Sequence, residues 1–372
     1  MKKIVVVFGT RPEAIKLIKV IEQLQLHCHV KVCVTAQHRE MLDSVLKIFN
    51  LNPDYDLNIM KPNQDLLSIT HSVMKGLSKV LLKEKPDMVI VHGDTTTAMA
   101  SAIAAFYLRI PVAHVEAGLR TRDLYSPFPE ELNRQVVARA STFHFAPTGN
   151  ARQNLINENI DEKQILVTGN TSIDTLISSV MPARNINYSK ELLSIIDDKN
   201  LHEKVILVTG HRRENFGEKF KNVCKALLDI ANLHPEVKII YPVHFNPNVR
   251  NLVKSILSNV SNIYLIDPLD YLTFVKLMDA SYLIITDSGG VQEEAPSLGK
   301  PVLVTRDITE RPEGVDAGTV IIVGTDRKKI IHEVTNLIVN KEHYIEMSKI
   351  NNPYGDGNAS KRISSFIQEV LH

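Results

Sequence analysis

Three carboxylates stand where short apolar runs end. Asp94 closes the run Val91-His92-Gly93-Asp94, Glu116 closes His114-Val115-Glu116, and Glu130 follows in the loop Pro127-Phe128-Pro129-Glu130-Glu131. Carboxylates that share a partly dry site push each other's pKa values apart, and one site then holds both an acid and a base. Asp94 alone reads equally well as a helix N-cap; Glu116, at the end of a buried run, is harder to explain that way. His92 and His114 beside Asp94 and Glu116 offer metal ligation as a rival chemistry. No H-E-x-x-H or C-x-x-C accompanies them, and the expected metal content is none.

A second set of residues is suited to phosphate. Gly9-Thr10-Arg11-Pro12-Glu13 follows the first apolar run, with Lys16 one turn on. Gly9 permits a tight turn and Pro12 is favoured at a helix start, where free N–H groups attract anions. Arg11 and Lys16 near that end oppose the helix dipole unless an anion is expected. Gly210-His211-Arg212-Arg213 and Ser288-Gly289-Gly290 follow two later runs, and Arg311 follows a third. Paired glycines before a helix present bare N–H groups to a diphosphate. Glu294, a turn further on, is placed to accept ribose hydroxyls or simply to complement the helix dipole.

The elements that must carry these residues are legible as a repeating pattern. Strand-like runs at 4–8, 30–35, 88–92, 112–116, 143–146 and 165–168 alternate with helical stretches, and the pattern restarts at 205–209, 237–241, 263–266, 282–286, 301–305 and 320–323. The runs are continuously apolar rather than alternating, which marks strands covered on both faces of a parallel sheet. Two α/β domains follow, 1–169 and 170–372, with a final helix at about 359–372 packing back on the first. The stretch 181–204, polar and poor in strand formers, reads as a helical linker or an insertion. Ligands of such sheets sit beyond the carboxyl ends of the strands, in this case in a cleft between the domains.

Composition excludes several alternatives. The 372 residues carry a formal charge of +1, without the basic excess of a nucleic-acid binder. The apolar run 4–8 is shorter than the ~7–15 residues of a secretory segment, and 98–108 is far short of the ~20 that span a bilayer. Cys28, Cys33 and Cys224 cannot all pair, which suits a reducing, cytoplasmic setting. No G-x-G-x-x-G follows a strand and no G-x-x-x-x-G-K-[ST] occurs, so neither a nicotinamide cofactor nor ATP is expected.

Taken together, FGTRPEAIK, HGDTTT, HVEAGLRT, PFPEE, VTGHRREN, DSGGVQEEAPSLGKP and ERPEGV resemble the non-hydrolysing UDP-N-acetylglucosamine 2-epimerases, in the family's order and across nearly the whole chain. The resemblance implies a GT-B fold, two Rossmann-like doubly wound parallel-sheet domains with the active site between them. It implies a homodimer without cofactor that interconverts UDP-GlcNAc and UDP-ManNAc, by eliminating UDP to a 2-acetamidoglucal and adding it back, in the supply of ManNAc units for bacterial surface polysaccharide.

Residue by residue, Arg11, Lys16, Asp94, Glu116, Glu130 and His211 match the family's catalytic or substrate-contacting positions, with Asp94, Glu116 and His211 matching both kinds. Phe274, Ser288, Gly289, Gly290, Glu294 and Arg311 match its uridine-diphosphate contacts. Gln37, Arg212 and His244 match a second, activating UDP-GlcNAc site of some bacterial members. One departure is Leu269, where the family carries Gln, which leaves uracil recognition to backbone and Phe274. Rival functions are a glycosyltransferase using the same donor, which would need an acceptor, and a non-catalytic nucleotide-sugar sensor, which has no need of three carboxylates.

Overall fold

The apolar runs become the strands of two parallel sheets. The computed structural model describes residues 1–36, 39–60, 64–195, 204–210, 212, 216–307, 309 and 311–371. The first half contains β1 (Lys3–Phe8), β2 (His29–Val34), β3 (Tyr55–Asp56), β4 (Met88–His92), β5 (Val112–Val115), β6 (Phe143–Ala146) and β7 (Ile165–Val167). They pair in the order β3-β2-β1-β4-β5-β6-β7, every neighbour parallel. Crossover helices α1 (Arg11–Gln25), α2 (Arg39–Ile48), α3 (Leu66–Glu84), α4 (Thr96–Tyr107), α5 (Glu130–Ala140) and α6 (Gly149–Asn157) connect them. Val5, Val7, Val89 and Val91 are wholly buried, as strands covered on both faces require.

After α7 (Thr171–Asn185) and α8 (Lys190–Ile195) the pattern repeats with β8 (Lys204–Thr209), β9 (Val237–Pro242), β10 (Ile263–Ile266), β11 (Leu283–Thr286), β12 (Val302–Val304) and β13 (Val320–Ile322). Their order is β10-β9-β8-β11-β12-β13, again parallel throughout. The helices here are α9 (Glu218–Leu233), α10 (Pro247–Leu257), α11 (Tyr271–Ala280), α12 (Gly289–Glu294), α13 (Pro312–Asp316), α14 (Arg327–Val339) and α15 (Lys341–Lys349); α16 (Ala359–Leu371) closes the chain. Both sheets therefore have the doubly wound Rossmann order. The order reverses between β1 and β4 in one and between β8 and β11 in the other, the points where such sheets open a crevice for ligand.

Contacts divide the chain into two units, Met1–Thr175 with Tyr354–His372, and Leu176–Pro353. The division falls six residues beyond Gly169, inside α7, a helix whose start Asn170 caps by accepting from Ser172 N–H at 3.0 Å. The terminal segment belongs to the first unit: α16 lies against α1, and Phe366 meets Phe143 and Phe145 edge-on at 5.4 and 5.6 Å between ring centres. The Asp174 carboxylate accepts from the N–H groups of Ala359 and Ser360, at 3.2 and 2.7 Å, and so caps the start of α16. Among the described residues no helix is long and apolar enough to cross a membrane.

Candidate functional site

In the first unit, the switch point between β1 and β4 gathers most of the acidic groups singled out above. Glu116 follows β5 directly, with φ at +62°. A non-glycine residue in the left-handed region is strained, and such strain persists only where the surroundings hold it. They do so here. Lys16, from the second turn of α1, donates to Glu116 Oε2, and Asn170 Nδ2 donates to the same oxygen at 2.9 Å. Lys16 and Glu116 are each only 10% exposed at the side chain. Lys16 is thus a buried partner of Glu116 rather than a charge standing at an open helix end. The other oxygen, Oε1, lies 3.7 Å from the point where a Cβ on Gly93 would project.

His92, the last residue of β4, brings Nε2 within 3.8 Å of Glu116 Oε2. Neither of its ring nitrogens has a hydrogen-bond partner among the described residues. Burial pushes its pKa down to about 4 against the pull of Glu116, so the ring is neutral at ordinary pH. Among the described residues no group of three or more His, Cys, Asp or Glu side chains is placed to hold a metal ion.

Asp94 follows two residues after β4. It does not cap α4: Thr95 does, accepting from Ala98 N–H at 3.0 Å. The bland reading of Asp94 is thereby removed. Its Oδ2 instead accepts from Arg134 Nη2 at 2.6 Å, and its main-chain carbonyl accepts from Asn133 Nδ2 at 2.9 Å. Both donors lie on α5, one turn after Glu130, which opens that helix. Glu131 is wholly buried and accepts from the N–H groups of Thr121 and Arg122, from Gln135 and from Arg134. Burial pushes its carboxyl up, but these hydrogen bonds and the Arg134 charge outweigh it and hold the group below its ordinary value.

The turn after β1 is organised by Glu13. Its Oε2 accepts from Gly9 N–H, Thr10 N–H and Thr10 Oγ1 at 3.0, 2.8 and 2.8 Å, and its Oε1 accepts from Thr95 Oγ1 at 2.8 Å. The bond to Thr10 N–H is half of a capping box. The bond to Thr95 ties the β1 turn to the β4 turn across the switch point. Burial raises Glu13 to about 6 in spite of these donors. Arg11 is the first residue of α1 and half-buried.

In the second unit, the β8 and β11 turns are likewise joined. Asp287 Oδ2 accepts from Arg212 N–H at 2.9 Å, and Tyr241 Oη donates to Gly210 O at 2.9 Å. Ser288 is the N-cap residue of α12, and Gly289 and Gly290 are its first two residues. Arg311 lies flat on this helix start. Its Nε donates to Glu293 at 2.7 Å, and a Cβ added to Gly289 would fall 2.6 Å from its Cζ. Only a glycine leaves room for the guanidinium there. Glu294 is the last residue of α12, buried, and not the first-turn acid that would complement the dipole. Phe274 and Leu269 are half-buried, on and just before α11. Exposed His244 accepts from Asn246 N–H at 3.0 Å. His211 and Gln37 lie outside the described residues.

Arg134, Asn170, Glu13 and Glu293 were not singled out from the sequence. The four-residue step from Glu130 to Arg134 was a usable signal, since it puts both on one helix face. Asn170 meets Glu116 across 54 residues, and nothing local points to it.

The UDP-N-acetylglucosamine 2-epimerase family model matches residues 22–368. The UDP-N-acetylglucosamine 2-epimerase of Escherichia coli K12 is 56% identical over 366 residues, 97% of each chain. The crystal structure of the UDP-GlcNAc 2-epimerase of Neisseria meningitidis bound to UDP-GlcNAc superposes with a TM-score of 0.93 at 52% identity, covering 99% of this chain and 100% of that one. Acinetobacter baumannii MurG, 17% identical with a TM-score of 0.61 over 99% and 100% of the two chains, shares the GT-B fold alone.

Proposed function

Since the chain belongs to the UDP-N-acetylglucosamine 2-epimerase family, we propose that it interconverts UDP-GlcNAc and UDP-ManNAc by eliminating UDP and adding it back. The observation that carries this reading is the strained Glu116, clasped by Lys16 and Asn170, with Asp94 on the neighbouring strand end.

The C2 hydrogen of the sugar is not acidic, because no carbonyl is conjugated to that carbon. A route that avoids a carbanion breaks the C1–O bond as the proton leaves. A carboxylate takes the C2 proton, the C–H electrons become the C1=C2 bond of 2-acetamidoglucal, and the C1–O electrons leave on the diphosphate. Return of a proton to the opposite face of C2 and addition of the diphosphate oxygen to C1 give the epimer. No oxidant is consumed, and atoms and charge balance. Asp94, Glu116 and Glu130 are the proton-transferring candidates. Phe274, Ser288, Gly289, Gly290, Glu294 and Arg311 are the candidates for UDP, with Arg11, Lys16 and His211 assigned to substrate on sequence. Each charge-assisted hydrogen bond to a departing diphosphate is worth roughly 1.5–3 kcal/mol.

The buried, unpaired thiols of Cys28, Cys33 and Cys224 fit a reducing cytoplasm. A homodimer supplying ManNAc units to surface polysaccharide completes the reading, with Gln37, Arg212 and His244 as an activator site.

Incubation with UDP-GlcNAc alone in heavy water tests it. Formation of UDP-ManNAc carrying deuterium at C2 is expected. A product that keeps its C2 hydrogen at full turnover excludes elimination, and no product without an added acceptor favours a transferase.

A further inference from the structure

Helix α5 does more than present Glu130. Its Arg134 is buried, 6% exposed, and spends its planar fork on two carboxylates: Nη2 on Asp94 Oδ2 at 2.6 Å and Nη1 on Glu131 Oε2 at 3.3 Å. Asn133 adds a bond to the Asp94 carbonyl at 2.9 Å. Glu131 is itself fixed by Thr121 and Arg122 N–H groups at 3.0 and 3.3 Å. The Asp94 side chain is 28% exposed, and its Oδ1 makes no hydrogen bond to any described residue. One oxygen is clamped and the other carries no such bond, on a side chain that is partly exposed.

A C2 epimerisation makes a geometric demand that this arrangement meets. The proton leaves one face of the carbon and arrives at the other, so the two carboxylates concerned must keep a set spacing. Asp94 sits in a turn after a strand, which by itself fixes an Asp rotamer poorly. We propose that Arg134 is a positioning residue: from the helix that Glu130 opens, it holds Asp94 Oδ2, aims Oδ1 at the substrate, and sets the separation between Asp94 and Glu130. This rests on the epimerase reading above. An Arg suits the task because its rigid fork holds two carboxylates in one plane, which an ammonium cannot do.

The test is steady-state epimerisation of UDP-GlcNAc by the full chain and its Arg134→Ala variant, with UDP affinity measured by calorimetry. A misplacement of about 1 Å costs on the order of 100-fold in turnover, and that is the expected fall in kcat. KM and UDP affinity should stay within about twofold, because only the reacting geometry is lost. Added guanidinium ion, at concentrations that leave the circular dichroism unchanged, should restore part of kcat. If Arg134→Ala does not fold, Arg134→Lys, which keeps the charge without the fork, is expected to lower kcat at native KM. Unchanged kcat in the folded variant overturns the proposal, as does an equal loss of UDP affinity with no rescue. Wild-type chain that fails to epimerise defeats the functional reading and takes this proposal with it; an active wild type with an indifferent variant overturns the proposal alone.

Discussion

Lys16 donates to Glu116 across one hundred residues of sequence, joining the second turn of α1 to the end of β5. Both side chains are nearly excluded from water, and Glu116 has left-handed backbone. The pair ties the mouth of the β1 crossover to a candidate proton-transfer group, so a change at either residue acts on both stability and turnover.

Lys16→Met should therefore be costly, because it leaves a buried carboxylate without its cation. Loss of one partner of a buried pair is worth about 3–5 kcal/mol. The double variant Lys16→Met with Glu116→Gln should recover most of that stability in urea denaturation, yet stay inactive. Additive losses in the double variant would show that the two do not act as a pair.

Asp94→Asn keeps the shape and the bond from Asn133 but removes the basic oxygen. General acid–base catalysis contributes about 100- to 10,000-fold, and a loss of kcat in that range is expected. UDP affinity should be unchanged, since the groups assigned to UDP belong to the second unit. Calorimetry with UDP beside an epimer assay separates the two; normal turnover would strike Asp94 from the proton-transferring set.

Gly289→Ala would drive a methyl to 2.6 Å from Arg311 Cζ, and Arg311 is held in place by Glu293. The guanidinium must move. Weaker UDP binding by at least about tenfold is expected, the loss of one charge-assisted contact. Gly149→Ala is the control, because a methyl there meets nothing and Gly149 is outside the UDP set. Equal UDP affinity for wild type and Gly289→Ala would remove Arg311 from the diphosphate site.

Stability should fall on mild acidification. Burial lowers His92 and His144 to about 4 and His114 to about 3. The unfolded chain binds protons at these rings near pH 6.5, whereas the fold refuses them until about pH 4, so each ring costs stability as pH drops through that window. Glu13 works oppositely. It takes a proton near 6 in the fold but near 4.5 when unfolded, which adds stability between those values. Three rings outweigh one carboxyl, and the net loss from pH 6.5 to 5 is on the order of 3 kcal/mol. Urea midpoints measured across that range test it; a flat profile would mean that the rings find protons inside the fold.

Much of this chain was legible one segment at a time. A continuous apolar run such as 4–8 or 88–92 has one low-cost fate, a strand covered on both faces, and the residue after it then stands at the sheet's ligand edge. That is why Gly9, Asp94, Glu116, Gly210 and Ser288 were identifiable without coordinates. Helices α7 and α10 were not singled out, although each carries a local signal: Val249, Leu252, Val253, Ile256 and Leu257 recur at helical spacing behind Asn246 and Pro247, and Ile173, Leu176, Ile177 and Val180 behind Asn170.

Residue types, the strand-end positions and the family motifs were determined by the sequence alone, because each depends on neighbours within a few residues. Which group holds which was decided only by the tertiary structure. Thr95 rather than Asp94 caps α4; Lys16 turns inward to Glu116; Arg134 reaches Asp94 across 40 residues; Arg311 lies on Gly289. Each is a choice among several partners of equal chemistry. Burial decides it, because a charge taken out of water must find the one opposite charge or donor that the fold brings within reach.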